Sequence, residues 1–208
     1  MKTISKTLLI CSAAALAVAA PANAKVSTGD MAPDVQAVDS NGDVRSLSEL
    51  KGETVVLEWT NHKCPYVKKH YNKAYMDGGN MQSLQKAAAA DDIVWLSIIS
   101  SAPGKQGYVS GEEANKLTEK RGAAPAAVIL DPAGTAGRTF SAKATPHMYV
   151  IDADQTLVYQ GAIDSNSSAS PNSLFNATNY VTAALDAIKA GEPVASGETA
   201  AYGCAVKY

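Results

Sequence analysis

Cysteine is scarce in this sequence, with three among 208 residues, and what is missing around each narrows the chemistry. The residue three places after Cys64 is Val67, so a local Cys-x-x-Cys couple is excluded. Basic residues do not outnumber acidic ones, 18 against 20, and no basic tract lies outside the neighbourhood of Cys64, which excludes nucleic acid as a natural partner. Histidine is equally rare: all three, His62, His70 and His147, fall in or beside the Cys64 motif or the Thr145-Pro146 pair. No apolar run reaches the ~20 residues of a membrane-spanning helix.

What is present begins with an export signal. Lys2 and Lys6 precede an apolar run from Leu8 to Ala20, and Ala22-Asn23-Ala24 supplies a small-x-small cleavage site before Lys25. Cys11 sits inside the apolar run behind Ile10, which argues against lipidation. The expected organisation is a signal peptide over 1–24, one domain over 25–191 and a tail over 192–208 that carries Cys204. Loss of Lys2 and Lys6 leaves 16 basic against 20 acidic residues, a net charge of −4. The mature chain is expected in a periplasm or outside the cell, with two cysteines where disulfides persist.

Along the chain, Ser40-Asn41-Gly42 between extended runs predicts a hairpin. Thr54 to Trp59 is apolar and β-branched and predicts a strand; Ile93 to Ile99 reads as a central strand covered on both faces. Asn80 is placed to cap a helix whose Met81, Leu84 and Ala88 recur at helical spacing, and Ser110 with Glu113 has capping-box spacing for a helix ending at Arg121-Gly122. Ala126 to Asp131 predicts a strand parallel to its predecessor, and Met148–Asp152 with Leu157–Ile163 predicts an antiparallel hairpin. A last helix ends at Gly191, after which small and polar residues predict a flexible tether ending in Tyr202-Gly203-Cys204.

The chain is organised around Thr54 to Tyr71. A strand stops at the polar turn Thr60-Asn61-His62-Lys63, and Cys64-Pro65 opens a helix expected to run to about Asp77. Proline suits the first helical turn, so Cys64 falls at the helix N-terminus. The helix dipole with His62, Lys63 and Lys68 nearby favours thiolate, drawing the pKa from about 8.5 toward the roughly 3.5–7.5 of reactive cysteines. Glu58 is a weaker candidate base, its strand position being equally suited to pairing with a lysine.

Strand, turn, Cys64-Pro65 and helix, with Thr145-Pro146 downstream before Met148 to Asp152, resembles the thioredoxin superfamily. Within it the chain is similar to the redoxins of the alkyl hydroperoxide reductase and thiol-specific antioxidant group, and Ala32-Pro33-Asp34-Val35 to Leu50-Lys51-Gly52 resembles their N-terminal hairpin. The resemblance covers Ala32 to at least Ile188 and implies an α/β thioredoxin-like fold: a central mixed sheet flanked by helices, with an N-terminal hairpin extension. It further implies a cis bond before Pro146, with Thr145 and Pro146 positioning substrate against Cys64. Leu57 and Asn61 stand where a peroxiredoxin's Pro-x-x-x-Thr/Ser-x-x-Cys pattern has proline and a hydroxyl, so the chain matches a peroxiredoxin-like branch with a single active-site cysteine.

These residues imply thiolate chemistry at Cys64 on a disulfide or peroxide, with no cofactor, Cys204 as candidate resolving thiol and a reductant protein the sequence does not identify. Two alternatives stay open. A structural Cys64–Cys204 disulfide closing a ~140-residue loop would stabilise a non-catalytic domain by roughly 5 kcal/mol. A soft donor set of Cys64, His62 and His147 would instead suit Cu(I) or zinc.

Overall fold

The computed structural model describes residues 25–208. The export signal read in residues 1–24 lies outside the described residues. In chain order the elements are β1 (Gln36–Asp39), β2 (Val44–Ser46), β3 (Val55–Trp59), α1 (Pro65–His70), α2 (Asn80–Ala90), β4 (Val94–Ile99), α3 (Gly111–Arg121), β5 (Ala127–Leu130), α4 (Thr135–Thr139), β6 (Ala144–Thr145), β7 (His147–Ile151), β8 (Leu157–Gly161), α5 (Tyr180–Ala190) and β9 (Cys204–Ala205). Short 3₁₀ turns occupy Leu47–Leu50 and Pro171–Asn176.

Seven strands form one mixed sheet in the order β2-β1-β5-β4-β3-β7-β8. Strands β3, β4 and β5 run parallel, and β7, β8 and the β1–β2 hairpin are antiparallel to their neighbours. Strand β3 is buried along its whole length, and the two-residue period of its side chains divides it between two apolar layers. Val55, Leu57 and Trp59 pack on one face with Ile98, Tyr149 and Ile151. Val56 faces the other way, with Trp95, Met148, Val150 and the inner residues of α1, α2 and α5, and Cys64 belongs to that layer. Each such large apolar side chain contributes about 1.5–3 kcal/mol on burial, so β3 is a firmly held platform for the turn and helix that carry Cys64.

The helix caps match the sequence in part. Ser110 and Glu113 form the expected reciprocal capping box of α3, and Gly122 ends that helix in the left-handed region. Helix α1 stops after six residues, well short of Asp77. Asn72 accounts for the early stop, because its Oδ1 accepts the Ala74 N–H and offers the backbone a turn in place of a helical bond. Asn80 does not cap α2, whose N-cap is Gly79; its amide instead donates to His70 Nδ1 at 2.8 Å.

The tail is the largest departure from expectation. Instead of a loose tether, residues 196–208 form a strap tied along the edge of the domain. Gln160 of β8 donates to the Gly197 carbonyl and accepts from the Thr199 N–H, at 2.9 and 3.0 Å. Strand β9 then pairs antiparallel with β6, setting Cys204 opposite Thr145. Beyond it the Lys207 carbonyl accepts from Ala102 N–H at 2.8 Å, and Tyr208 donates to the Ala142 carbonyl at 2.8 Å. Hydropathy did not signal this, because the strap is held mainly by backbone hydrogen bonds, with only the partly buried Tyr202, Cys204 and Val206 packed against the core.

Candidate active site

Asn61 builds the turn that presents Cys64. Its carbonyl accepts the Cys64 N–H at 3.0 Å and its side-chain Oδ1 accepts the Lys63 N–H at 2.9 Å, closing two overlapping turns between β3 and α1. Its amide nitrogen donates to the Gln106 carbonyl at 3.1 Å, so the loop after β4 rims this turn. Cys64 is the N-cap of α1 with Pro65 directly behind it, and its side chain is fully buried.

Two groups meet the Cys64 sulfur. Sγ donates to the Thr145 carbonyl at 3.1 Å and stands 2.6 Å from Cys204 Sγ. The peptide bond between Thr145 and Pro146 is cis, as the resemblance implied. Gly203 lets the strap come this close: its φ of +134° suits glycine, and a Cβ there would collide with the Thr145 carbonyl oxygen. Gly161 plays the same part under Thr199, at φ +146°.

The two thiols are electrostatically unequal. Burial pushes the Cys64 thiol up, but the Cys204 thiol, the Val67 and Cys204 backbone groups and Thr145 favour its thiolate, and the net shift is downward. Burial, then the hydrogen bond and charge of Cys64, push Cys204 up to about 11. In this coupled pair the first proton to leave is that of Cys64, and Cys204 keeps its own.

The flanking groups expected to tune Cys64 do so less than these contacts. Lys63 and Lys68 are exposed to solvent, and neither is among the principal influences on the sulfur. His62 turns toward α3: its pKa is lowered by burial and then by the Arg121 guanidinium, and its Nδ1 is buried without a hydrogen bond. His147 sits under the strap beside Tyr149, with Nδ1 3.2 Å from the tyrosine hydroxyl, and burial with the Lys143 charge draws it down to about 4. Cys64, His62 and His147 therefore do not converge, and among the described residues no group of three His, Cys, Asp or Glu side chains is placed to hold a metal ion.

Two buried polar clusters were not legible as such. Glu58 is fully buried on the Cys64 face of β3, with no lysine paired to it; it accepts from the Tyr71 hydroxyl at 2.9 Å, Trp95 Nε1 at 3.0 Å, Ser97 Oγ at 3.0 Å and Gln85 Nε2 at 3.3 Å. Burial raises its pKa against the pull of these donors. An acid in the middle of an apolar strand was the available signal. The second cluster joins Lys69, His70, Asp164 and Tyr202, from three distant segments. Its only sequence trace is the Lys69-His70 pair on a helix that also carries Val67 and Tyr66.

Comparison with known proteins agrees with this architecture. An uncharacterized conserved protein from Geobacillus kaustophilus superposes with a TM-score of 0.71 at 23% identity, over 88% of this chain and 92% of its own. A hypothetical protein from Sinorhizobium meliloti 1021 gives 0.71 at 19% identity, over 89% and 96%. The thioredoxin domain of a thiol-disulfide oxidoreductase from Bacteroides vulgatus gives 0.51 at 16% identity, over 73% and 98%. No curated protein matches the chain. The model of the AhpC/TSA family matches residues 28–160, from before the N-terminal hairpin to within β8 and including the Cys64 turn and cis-Pro146. With a thioredoxin-like fold and that match, the chain is a redoxin of the thioredoxin superfamily and belongs to the AhpC/TSA family.

Proposed function

We propose that this redoxin is a thiol-based oxidoreductase in which Cys64 is the nucleophile and Cys204 the resolving thiol. The observation that carries the reading is the facing pair of sulfurs with opposite proton affinities, one held toward thiolate and the other toward thiol. On a disulfide substrate the Cys64 thiolate attacks one sulfur, forms a mixed disulfide and expels the other sulfur as a thiolate. Cys204 then loses its proton, attacks Cys64 and releases the second substrate thiolate. The substrate gains two electrons and the chain is left with a Cys64–Cys204 bond, which an external dithiol must reduce.

On a peroxide, Cys64 takes one oxygen to become a sulfenic acid while the other leaves as alcohol or water; attack by Cys204 then forms the same bond and releases water. In either sequence Cys64 is uncharged when Cys204 must act. The part of the Cys204 shift that comes from the Cys64 charge is then gone, and its deprotonation becomes easier. Asn61 spends its side chain on the turn and offers no hydroxyl to a peroxide, which favours disulfides as the main substrates.

The chain is read as acting after export, residues 25–191 forming the redoxin domain and 192–208 the tail that resolves the intermediate. Among the described residues no helix is long and apolar enough to cross a membrane. The test treats wild type and Cys204→Ser with glutathione disulfide or a small excess of hydrogen peroxide and maps the products by mass spectrometry. An intrachain bond in wild type and a trapped adduct on Cys64 in the variant are expected. A Cys64–Cys204 bond that dithiothreitol reduces only after unfolding would overturn the catalytic role in favour of a structural one.

A further inference from the structure

One side chain of the strap reaches a buried ion pair that the sulfur chemistry leaves unused. Lys69 and Asp164 are 0% and 2% exposed, with Nζ 3.2 Å from Oδ2. The Tyr202 hydroxyl, two residues before Cys204, donates to Asp164 Oδ1 at 2.5 Å and accepts from Lys69 Nζ at 3.0 Å. His70 Nε2 lies 3.3 Å from the same hydroxyl oxygen. Because Asn80 donates to His70 Nδ1, the imidazole proton belongs on Nε2 and points at Tyr202. The hydroxyl thereby uses its one hydrogen and both its lone pairs, which defines a single seat.

Such a cluster is a poor source of stability, since the cost of stripping water from two charges offsets most of their attraction. It is stiff, however, and its position matters. Lys69 and His70 lie on the helix that begins at Cys64, so the latch and the nucleophile share one short rigid body. At about 1.5 Å per helical residue the helix leg from Cys64 to Lys69 is roughly 7–8 Å, and the extended leg from Tyr202 to Cys204 is roughly 7 Å. Both legs are too short to leave the Cys204 sulfur much freedom.

We propose that Tyr202 is a positioning residue: seated between Asp164, Lys69 and His70, its hydroxyl latches the strap so that Cys204 stays opposite Cys64. The latch rests on the redox pairing proposed above and sets how favourably that bond forms. In the pairing step the S–S bond forms as Cys64 and Cys204 each give up a proton and two electrons pass to glutathione disulfide, whose S–S bond breaks to leave two glutathione thiols.

Tyr202→Phe removes the hydroxyl and keeps the ring. Equilibration with reduced and oxidised glutathione, read by alkylation and mass spectrometry, is expected to show an about tenfold smaller constant for the intrachain bond, a reduction potential about 30 mV less negative. In a Cys204→Ser background, adding Tyr202→Phe is expected to quicken alkylation of Cys64, because a strap held less firmly uncovers the buried sulfur more often. Asp164→Asn, which weakens the seat from the domain side, is expected to shift the constant in the same direction. Amide exchange at Val206, whose N–H the Lys143 carbonyl accepts at 3.2 Å, is expected to quicken in Tyr202→Phe. If wild type forms the bond and neither variant shifts the constant beyond twofold, the latch is wrong and the redox pairing stands. If wild type forms no intrachain bond at any glutathione ratio, the pairing and the latch both fail.

Discussion

From Val55 to Tyr71, the region that delivers Cys64, most side chains are buried; from Ser196 to Tyr208, the region that delivers Cys204, none is. The first region is held by apolar burial on two faces of a seven-stranded sheet. The second is held by backbone hydrogen bonds to β8 and β6, two glycines that permit close approach, and the Tyr202 seat. Hydrogen bonds of this kind contribute only about 0.5–1.5 kcal/mol each, so the strap can open locally while the domain stays folded. One sulfur is therefore fixed and the other docked, which suits the roles of nucleophile and resolving thiol proposed for them.

The largest effect should come from the fixed side. Cys64→Ser is expected to reduce turnover of a glutathione-disulfide or peroxide assay to background while leaving the urea midpoint near wild type. Residual turnover in that variant would mean that Cys204 acts without Cys64 and that the two regions are chemically interchangeable.

Gly203→Ala attacks the docked side alone. A Cβ there meets the Thr145 carbonyl at a backbone conformation that alanine disfavours, and displacement of the strap should slow intrachain bond formation roughly tenfold, about 1.4 kcal/mol. Iodoacetamide should at the same time label Cys64 faster, because the strap that covers it has lifted. Slower bond formation together with a lower domain melting temperature would show that strap and domain unfold as one unit.

A third experiment asks how far the two regions share a proton. The Cys204 thiol is the strongest of the contacts that lower Cys64, acting against burial, so Cys204→Ala should move the midpoint of the Cys64 alkylation profile to higher pH than in reduced wild type. An unchanged midpoint would assign the lowering to α1 and Thr145 alone.

The smallest effect lies beneath both. The carboxyl of Glu58 has its pKa raised by burial, so the folded state prefers it protonated; that contribution is present below the unfolded value near 4.5 and is lost as pH rises through the folded one. Glu58→Gln carries no charge to bury. Its stability relative to wild type, from urea midpoints, should therefore improve as pH rises above about 4.5. A difference independent of pH would mean that Glu58 is ionised at no cost, through the donors from Tyr71, Trp95 and Ser97.

The sequence by itself determined the thioredoxin-like order of strands and helices, the hairpin before β3, the capping box of α3 and the placement of Cys64 at a helix start. Each of these is written in local terms: side-chain period, a proline at the first helical position, a serine three residues before a glutamate. The tertiary structure alone decided that the tail is a strap, because its docking depends on backbone N–H and carbonyl groups of β8 and β6 that no hydropathy pattern records. It also decided that hydrogen bonds at the sulfur outweigh Lys63 and Lys68, whose charges point into solvent where water screens them. The inward turn of Lys69 rather than its neighbours was likewise settled by Asp164, far along the chain, since a buried ammonium is tolerated only where a carboxylate and hydroxyl wait to receive it.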